Sequence, residues 1–219
     1  YEAARLIEAG LHDWPLRYEG LEALLQHLAA CDGEASQSRV VFLTAHFGSS
    51  ILGTGMLQPL GLPVLGMSFN VVDRPQVHPS IGWFFRRKYE ALRAHLQGGW
   101  IQDHEGNARL FARFLSQPGA VVIVGDLPPG ASEQPHWCEG LGETIGLAPG
   151  AVKLARMKGA HLMAFVCVRD ERGYVLRFSA PHQDPYRFLF EQIQQRPDLW
   201  WAADLYPLYP KQQPYEHDH

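Results

Sequence analysis

The sequence lacks the features that mark several large classes of protein. No apolar run approaches the ~18 residues needed to span a bilayer, and the net charge of −4 includes no basic stripe of the kind that a general nucleic-acid binder carries. The cysteines, Cys31, Cys138 and Cys167, are few and widely spaced. Their spacing fits neither a disulfide framework nor a zinc motif, which favours a reducing compartment. The histidines at 217 and 219 have no second ligand group near them in sequence, so we assign no metal and no cofactor.

What is present fits an ordinary globular chain. With 219 residues, 46% of them hydrophobic and 19% charged, the chain can bury a single core, and we predict one domain spanning residues 1–219. Continuous apolar runs alternate with helical patterns along the chain. This alternation predicts an α/β fold with a mixed, mostly parallel central sheet and helices on both faces.

The periodicity of apolar residues gives the individual elements. Strands are predicted at VVFLTA, VLGMSF, Trp100–Gln102 and AVVIVGD, and HLMAFVCVR and GYVLRFSA are predicted to form a hairpin that turns at Asp170–Gly173. Helices are predicted at YEAARLIEAGL, LEALLQHLAA, from Ser49 or Ser50 to about Gln58, at PSIGWFFRRKYEALRAHLQ, Asn107–Ser116, APGAVKLARMKG with Gly159 as its stop, and YRFLFEQIQQR. The stretch LPPGASEQPHWCEGLGET is predicted as a long loop because it is rich in proline and glycine.

Two polar residues follow directly on predicted buried strands. His46 comes after VVFLTA, and Asp126 ends AVVIVGD. In open α/β sheets, sites form just beyond the carboxyl ends of the strands. An imidazole there can act as a general base, and backbone amides at the start of the following helix can receive an oxyanion. On spacing alone, His46 fits a structural turn-capping role equally well.

The quoted strand ends in a motif that resembles a known family. VVFLTAHFGSSILGTGML resembles the first motif of the lysophospholipid acyltransferase superfamily, in particular its bacterial lipid A late acyltransferase branch. The stretch before it, RYEGLEALLQHL, is similar to the family's approach to that strand. Similar stretches then follow in the family's order: NVVDRPQVHPSIGWFFRRKYEALR, AVVIVGDLPPG, GETIGLAPGAVKLARMKGAHLMAFVCVRDERGYVLRFSAP and FEQIQQRPDLWWAADLYPLYP. The resemblance covers most of the chain, from about Glu19 to Tyr209.

The resemblance implies a glycerolipid acyltransferase-like fold and transfer of an acyl group from a thioester to a hydroxyl or amine. The family's histidine, which deprotonates the acceptor, corresponds to His46, and Asp126 is assigned as the second catalytic residue. Substrate-binding residues are assigned at Phe47, Gly48, Ser49, Ser50, Arg86, Arg87 and Thr144. The implied partners are an acyl carrier protein or acyl-CoA as donor and a lipid or small molecule as acceptor. The expected location is the cytoplasm, including the inner face of the membrane.

The chain departs from the family at the position that should hold the histidine. The family motif is His-x-x-x-x-Asp/Glu, and its acid falls at Ile51. Three readings stay open: another acid, Asp126, Asp103 or Glu143, reaches His46; the histidine works alone; or the acyltransferase chemistry is lost. The alternatives in function are accordingly a non-catalytic module that binds acyl chains or carrier proteins, and a thioester hydrolase that uses His46 with Ser49 or Ser50.

An acyl chain also requires an apolar groove beside the histidine, because each buried methylene contributes roughly 0.8 kcal/mol. We expect this groove to be lined from Ile51–Leu57 and Gly82–Phe85.

Overall fold

Residues 15–68, 77–102 and 107–212 are described by a computed structural model of the chain. The strands in these ranges are β1 (Leu16–Glu19), β2 (Arg39–Thr44), β3 (Val64–Ser68), β4 (Gly99–Gln102), β5 (Gly119–Val124), β6 (His136–Gly140), β7 (Glu143–Leu147), β8 (His161–Asp170) and β9 (Gly173–Phe178). The helices are α1 (Leu21–Asp32), α2 (Ser50–Gly55), α3 (Pro79–His95), α4 (Asn107–Phe114), α5 (Gly150–Lys158) and α6 (Pro185–Gln195). Short 3₁₀ helices lie at Ala35–Gln37, Gln58–Leu60, Pro197–Leu199 and Ala203–Leu208.

Seven of these strands form one sheet in the order β1-β9-β8-β2-β5-β3-β4. Only the β8–β9 pair is antiparallel, and its register closes at Asp170 opposite Gly173. The other neighbours, including the central pairs of β2 with β8 and β5, run parallel. The predicted mixed, mostly parallel α/β sheet and its hairpin are therefore confirmed.

The apolar residues of the central strand are divided between two cores. Along β2, Val40 and Phe42 pack into the cluster that α1, α2 and α3 cover, while Val41 and Leu43 pack into the cluster under α4, α5 and α6. Because successive side chains of a strand point to opposite faces, a strand covered on both sides must be apolar throughout. Helices thus cover both faces, as predicted.

The predicted long loop between Leu127 and Thr144 is wrong in its second half. It contains β6 and the start of β7, which pair as a separate antiparallel hairpin. The turn residues Leu141 and Gly142 both have positive φ, as a tight two-residue hairpin turn of type I′ requires. Cys138 on β6 lies opposite Ile145 on β7, and both are buried in the second core. The high proline and glycine content of this segment indicated a loop and outweighed the short alternation of apolar and polar residues that is typical of a strand.

Some remaining elements differ from the sequence predictions, and one lies outside the described residues. Helix α2 ends at Gly55 instead of near Gln58, and two glycines in its last turns lower its helix propensity. Strand β1, which was not predicted, adds a parallel edge to β9. The helix predicted at YEAARLIEAGL lies outside the described residues. Gly159 does end α5, in the left-handed conformation that favours glycine.

Across the described ranges, no helix combines the length and the apolar character that crossing a membrane demands.

Candidate active site

The register of two neighbouring strands brings His46 next to Asp126. Thr44, the last residue of β2, lies opposite Val124, the last residue of β5. The Gly125 N–H continues this ladder by donating to the Thr44 carbonyl at 2.7 Å. His46 and Asp126 each follow their strand by two positions, so they leave adjacent parallel strands at the same level. They therefore meet at the carboxyl edge of the sheet, where sites in such folds form.

The Asp126 carboxylate accepts hydrogen bonds from three donors. Its Oδ1 lies 3.0 Å from Nδ1 of His46, and its Oδ2 accepts from the His46 backbone N–H and from the indole N–H of Trp200, each at 2.9 Å. The Tyr209 hydroxyl donates to the Asp126 backbone carbonyl, also at 2.9 Å. The side chain of Asp126 is only 1% exposed. Burying a carboxylate is costly unless it is fully hydrogen-bonded, and these donors hold it in one orientation.

This arrangement fixes the chemistry of the imidazole. A carboxylate only accepts, so the neutral ring carries its proton on Nδ1 and leaves Nε2 as the basic nitrogen. The hydrogen bond to Asp126 raises the pKa of His46 above its ordinary 6.5, and the charge of Asp126 acts in the same direction, while burial partly opposes both. The His46 side chain remains 33% exposed. It is thus an oriented base with access to the space in front of it.

The loop after His46 is closed onto two other segments. The Gly48 N–H donates to the Leu199 carbonyl at 2.9 Å, and the Trp201 N–H donates to the His46 carbonyl at 2.8 Å. Gly48 has a φ of +57°, and a Cβ at this position would lie 2.3 Å from the Cys167 carbonyl oxygen. The conformation and the close approach together require glycine. The backbone that carries His46 is therefore held from both sides.

The amides directly after Phe47 are occupied. Gly48 donates to a carbonyl as described above, and the Ser49 N–H donates to the Cys167 carbonyl at 2.8 Å. Neither amide can receive an oxyanion without breaking a backbone hydrogen bond. Donors for a developing negative charge must therefore come from other groups around the cavity.

A cavity of about 350 Å³ opens beside His46. Apart from that histidine, the described part of its wall is almost wholly apolar and comprises Ser50, Ile51, Met67, Ile123, Val124, Gly125, Leu127, Ala148, Gly150, Ala151, Tyr186 and Trp201. Its volume lies at the lower end of the range of small-molecule sites, which are typically apolar with a few placed polar groups. The wall suits an aliphatic chain better than a sugar or a phosphate.

Two residues that carry hydroxyl groups line this cavity. Ser50 begins α2 and is 9% exposed. The hydroxyl of Tyr186, a residue that is 1% exposed, has no hydrogen-bond partner within the part of the chain that the structure describes. Burial raises the pKa of Tyr186, so the hydroxyl stays protonated. A buried donor without a partner costs stability, and a carbonyl or oxyanion of a ligand would satisfy it.

Most of the residues assigned to substrate binding lie elsewhere. Phe47 is 1% exposed and packs into the second core, while Arg86 and Arg87 are exposed on α3. Thr144 belongs to the β6–β7 hairpin. None of these four is among the described residues that line the cavity. Ser50 is the assigned binding residue that reaches it, whereas Gly48 and Ser49 serve the backbone of the loop.

The structure places Asp126 in contact with His46, and not Glu143. Glu143 pairs with Lys211 at 2.6 Å on the small hairpin. Asp103 lies outside the described residues. The reading in which the histidine has no acidic partner is wrong, because the contact of 3.0 Å between Nδ1 and Oδ1 supplies one.

The expected lining of the groove is correct at one residue. Of Ile51–Leu57, Ile51 lines the cavity, and no residue of Gly82–Phe85 is among its described lining residues. The short helix α2 explains the first difference, because Leu52 and Met56 point into the first core instead. Ile51 thus contributes apolar surface beside His46.

The C-terminal contribution to the site was not predicted from the sequence. Trp200, Trp201 and Tyr209 follow α6, and Tyr186 is the second residue of that helix. A buried tryptophan or tyrosine needs a partner for its polar atom, so the paired tryptophans were a usable signal. Nothing in the spacing showed that their partner would be Asp126, 74 residues away in the chain from Trp200.

No protein-family model matches the chain, and no curated protein sequence matches it.

Proposed function

We propose that this chain is an acyltransferase that moves an acyl group from a thioester to a hydroxyl or an amine. One observation carries the proposal: a histidine oriented by a buried aspartate faces an apolar cavity of about 350 Å³. The resemblance to the lysophospholipid acyltransferase superfamily, in its lipid A late acyltransferase-like branch, supports the same chemistry. A glycerolipid acyltransferase-like fold and a single domain over residues 1–219 belong to this proposal.

In the proposed reaction His46 acts as the general base. Nε2 takes the proton of the acceptor O–H or N–H as the acceptor atom attacks the thioester carbonyl carbon. The tetrahedral intermediate then collapses, the carbon–sulfur bond breaks, and the imidazolium returns the proton to the leaving thiolate. Asp126 keeps Nδ1–H fixed and stabilises the imidazolium between these steps, as the carboxylate of a catalytic triad does.

The apolar wall has the role of holding the acyl chain. Each methylene that leaves water contributes roughly 0.8 kcal/mol, so a short or medium chain binds with little polar help. The unpartnered Tyr186 hydroxyl is the candidate donor for the carbonyl oxygen, since it is buried at this cavity and remains protonated.

The donor in this proposal is an acyl carrier protein or acyl-CoA thioester, and the acceptor is a lipid or a small molecule. The proposed setting is the cytoplasm, including the inner face of the membrane.

A specific observation favours a second candidate, a thioester hydrolase. Ser50 lines the same cavity as His46, and a serine beside a histidine–aspartate pair can act as a nucleophile. In that reaction an acyl-serine forms and water releases it. A module that only binds acyl chains would use the same cavity without turnover.

The experiment presents the purified protein with acyl-CoA thioesters from acetyl to palmitoyl, with and without amines and alcohols. Release of free thiol measures turnover, and mass spectrometry identifies acylated acceptor, free acid or acyl-protein. We expect acceptor-dependent product, and we expect His46→Ala to lower turnover by about 10²–10⁴-fold, the usual contribution of a general base.

His78→Gln is the matched control, because His78 is an exposed histidine that caps α3 and is not among the described residues that line the cavity. It should retain full turnover. Free acid together with an acyl-Ser50 adduct would establish the hydrolase instead. Full activity in His46→Ala would overturn both enzymatic candidates. Binding of the acyl chain without release of thiol would leave only the non-catalytic binding module as a candidate.

A further inference from the structure

A second cluster of reactive side chains lies at the opposite edge of the sheet from the cavity. His161 is the first residue of β8 and pairs with Val40 near the start of β2, whereas His46 follows the end of that strand. His27 and Cys31 stand four residues apart on α1, so they project from the same side of the helix. The cluster therefore joins α1 to the amino edge of the sheet.

The ligand atoms of these three residues are already close together. One ligand atom each of His27, Cys31 and His161 lies within 4.8 Å of the other two, and the Cys31 Sγ is 3.9 Å from Nε2 of His27. In a tetrahedral zinc site, bond lengths of about 2.0–2.3 Å put neighbouring ligand atoms about 3.3–3.6 Å apart. To reach this spacing from the 4.8 Å within which they lie, the ligand atoms need only rotations of these partly exposed side chains.

An aspartate orients the histidine of β8. Oδ2 of Asp32 lies 2.9 Å from Nε2 of His161, so Nδ1 is the ring nitrogen that would bind an ion. Histidines that bind metals usually donate their second ring N–H to a carboxylate in this way, and the bond fixes both tautomer and ring orientation. The carboxylate is an outer partner here, not a ligand.

The chemistry of the donor set selects the ion. A thiolate with imidazoles suits zinc, which accepts sulfur and nitrogen together, and does not suit calcium or magnesium, which require oxygen. The ring of His182, 5.7 Å from that of His27 between centroids, adds a further imidazole at the rim. The fourth position of a tetrahedral site falls to this imidazole or to water.

We propose that His27, Cys31 and His161 bind a zinc ion that fastens helix α1 to the first residue of β8, with Asp32 positioning His161. The site is separate from the cavity, so it does not depend on the acyltransferase proposal. Because a metal that binds the folded state stabilises it, zinc should raise the melting temperature.

The test uses Co²⁺ as a spectroscopic stand-in for zinc, on the reduced chain of 219 residues. The histidines at 217 and 219 are both replaced by alanine in the background, so that the C-terminal residues cannot supply the ligands. We expect one equivalent of Co²⁺ to produce the visible bands of tetrahedral cobalt and a near-ultraviolet thiolate charge-transfer band. Zn²⁺ should remove both by displacement.

Three substitutions then separate this site from adventitious binding. Cys31→Ser should abolish the charge-transfer band, and His27→Gln and His161→Gln should each weaken zinc, measured against a chromophoric chelator, by more than about 100-fold, beyond the usual cost of losing an outer partner. His78→Gln should leave both the charge-transfer band and the zinc affinity unchanged. Melting with a chelator present checks that each variant folds. Unchanged zinc affinity in Cys31→Ser, or binding that disappears with the C-terminal substitutions alone, would overturn the proposal.

Discussion

The two edges of the sheet each carry a histidine that is held by an aspartate, and the two pairs are built differently. At the carboxyl edge the carboxylate of Asp126 is 1% exposed and holds Nδ1 of His46. At the amino edge the side chain of Asp32 is 34% exposed and holds Nε2 of His161. The carboxylate at the first edge also binds Trp200 and a backbone amide.

The difference decides which nitrogen is left for chemistry. With Nδ1 held, His46 offers Nε2 to an apolar cavity, where it can take a proton. With Nε2 held, His161 keeps Nδ1 for the ion that we propose it binds together with Cys31 and His27. In the two proposals, the same two residue types therefore provide a base at one edge and a metal ligand at the other, according to burial and neighbours.

The largest expected effect comes from removing the charge of each aspartate in turn. Asp126→Asn should lower acyl transfer by about 10²–10⁴-fold, at most the loss seen when the carboxylate of a catalytic triad is replaced by its amide. Asp32→Asn should leave turnover unchanged and weaken zinc binding by about 10–100-fold. Steady-state rates and chelator competition measure the two properties in the same proteins. Equal losses of turnover in both variants would contradict the distinction between the edges.

A glycine at each edge tests how rigidly the backbone is held. Gly48 and Gly159 both have a φ of +57°, but a Cβ on Gly159 would meet nothing within 4 Å, whereas on Gly48 it would lie 2.3 Å from the Cys167 carbonyl oxygen. Gly159→Ala should cost about 1–2 kcal/mol of unfolding free energy, the strain of the left-handed conformation alone. Gly48→Ala should cost about 2–5 kcal/mol, because overpacking adds to that strain. Denaturant titration measures both.

The pH dependence sharpens the comparison further. The acidic limb of kcat/KM for acyl transfer should report His46 and lie above pH 6.5, since its pKa is raised chiefly by the hydrogen bond to Asp126. In Asp126→Asn the limb of the residual activity should move to lower pH. Asp32→Asn should not move it. A limb that stays in place in Asp126→Asn would show that another group titrates.

The same pairing predicts the sign of a stability effect. A group whose folded pKa is raised stabilises the fold fully below its unfolded pKa and loses that contribution as the pH rises through the folded pKa. The free energy of unfolding of the wild-type chain should therefore exceed that of His46→Gln most clearly below about pH 6.5. The difference should shrink as the pH rises through the folded pKa of His46.

The sequence predicts the carboxyl edge better than the amino edge, and for a physical reason. Long buried strands are visible as apolar runs, and a polar residue at the end of such a run must leave the sheet at its carboxyl edge. His46 and Asp126 could therefore be predicted together. The cluster at the amino edge joins α1 to a strand more than a hundred residues later, and no local pattern connects His27 with His161.

Contacts to the C-terminal residues escaped prediction in the same way. The indole of Trp200 reaches Asp126 only because the 3₁₀ helix after α6 returns to the end of β5. The lining of the cavity likewise depends on which side of a short helix faces the sheet. For α2 that could not be derived from the apolar pattern, because its residues are almost all buried.

The smallest effect is expected at Ile51, the position that corresponds to the acid of the acyltransferase motif in the proposed resemblance. Asp126 already orients His46, so a second carboxylate has no role to fill, and at position 51 it would enter an otherwise apolar wall. Ile51→Glu should therefore not raise turnover, and it should weaken binding of the acyl donor because burying a charge without a partner is costly. Ile51→Gln, of similar shape and without charge, is the matched control and should weaken binding less. Turnover and KM for a series of acyl-CoA thioesters measure both variants.

A rise in turnover of about tenfold or more in Ile51→Glu alone, with no change in Ile51→Gln, would mean that an acid at position 51 can still orient His46 and that Asp126 substitutes for it poorly. A carboxylate at position 51 would then support His46 as well as one at position 126 does. The burial of Asp126 would in that case not be the feature that distinguishes the carboxyl edge of the sheet from the amino edge.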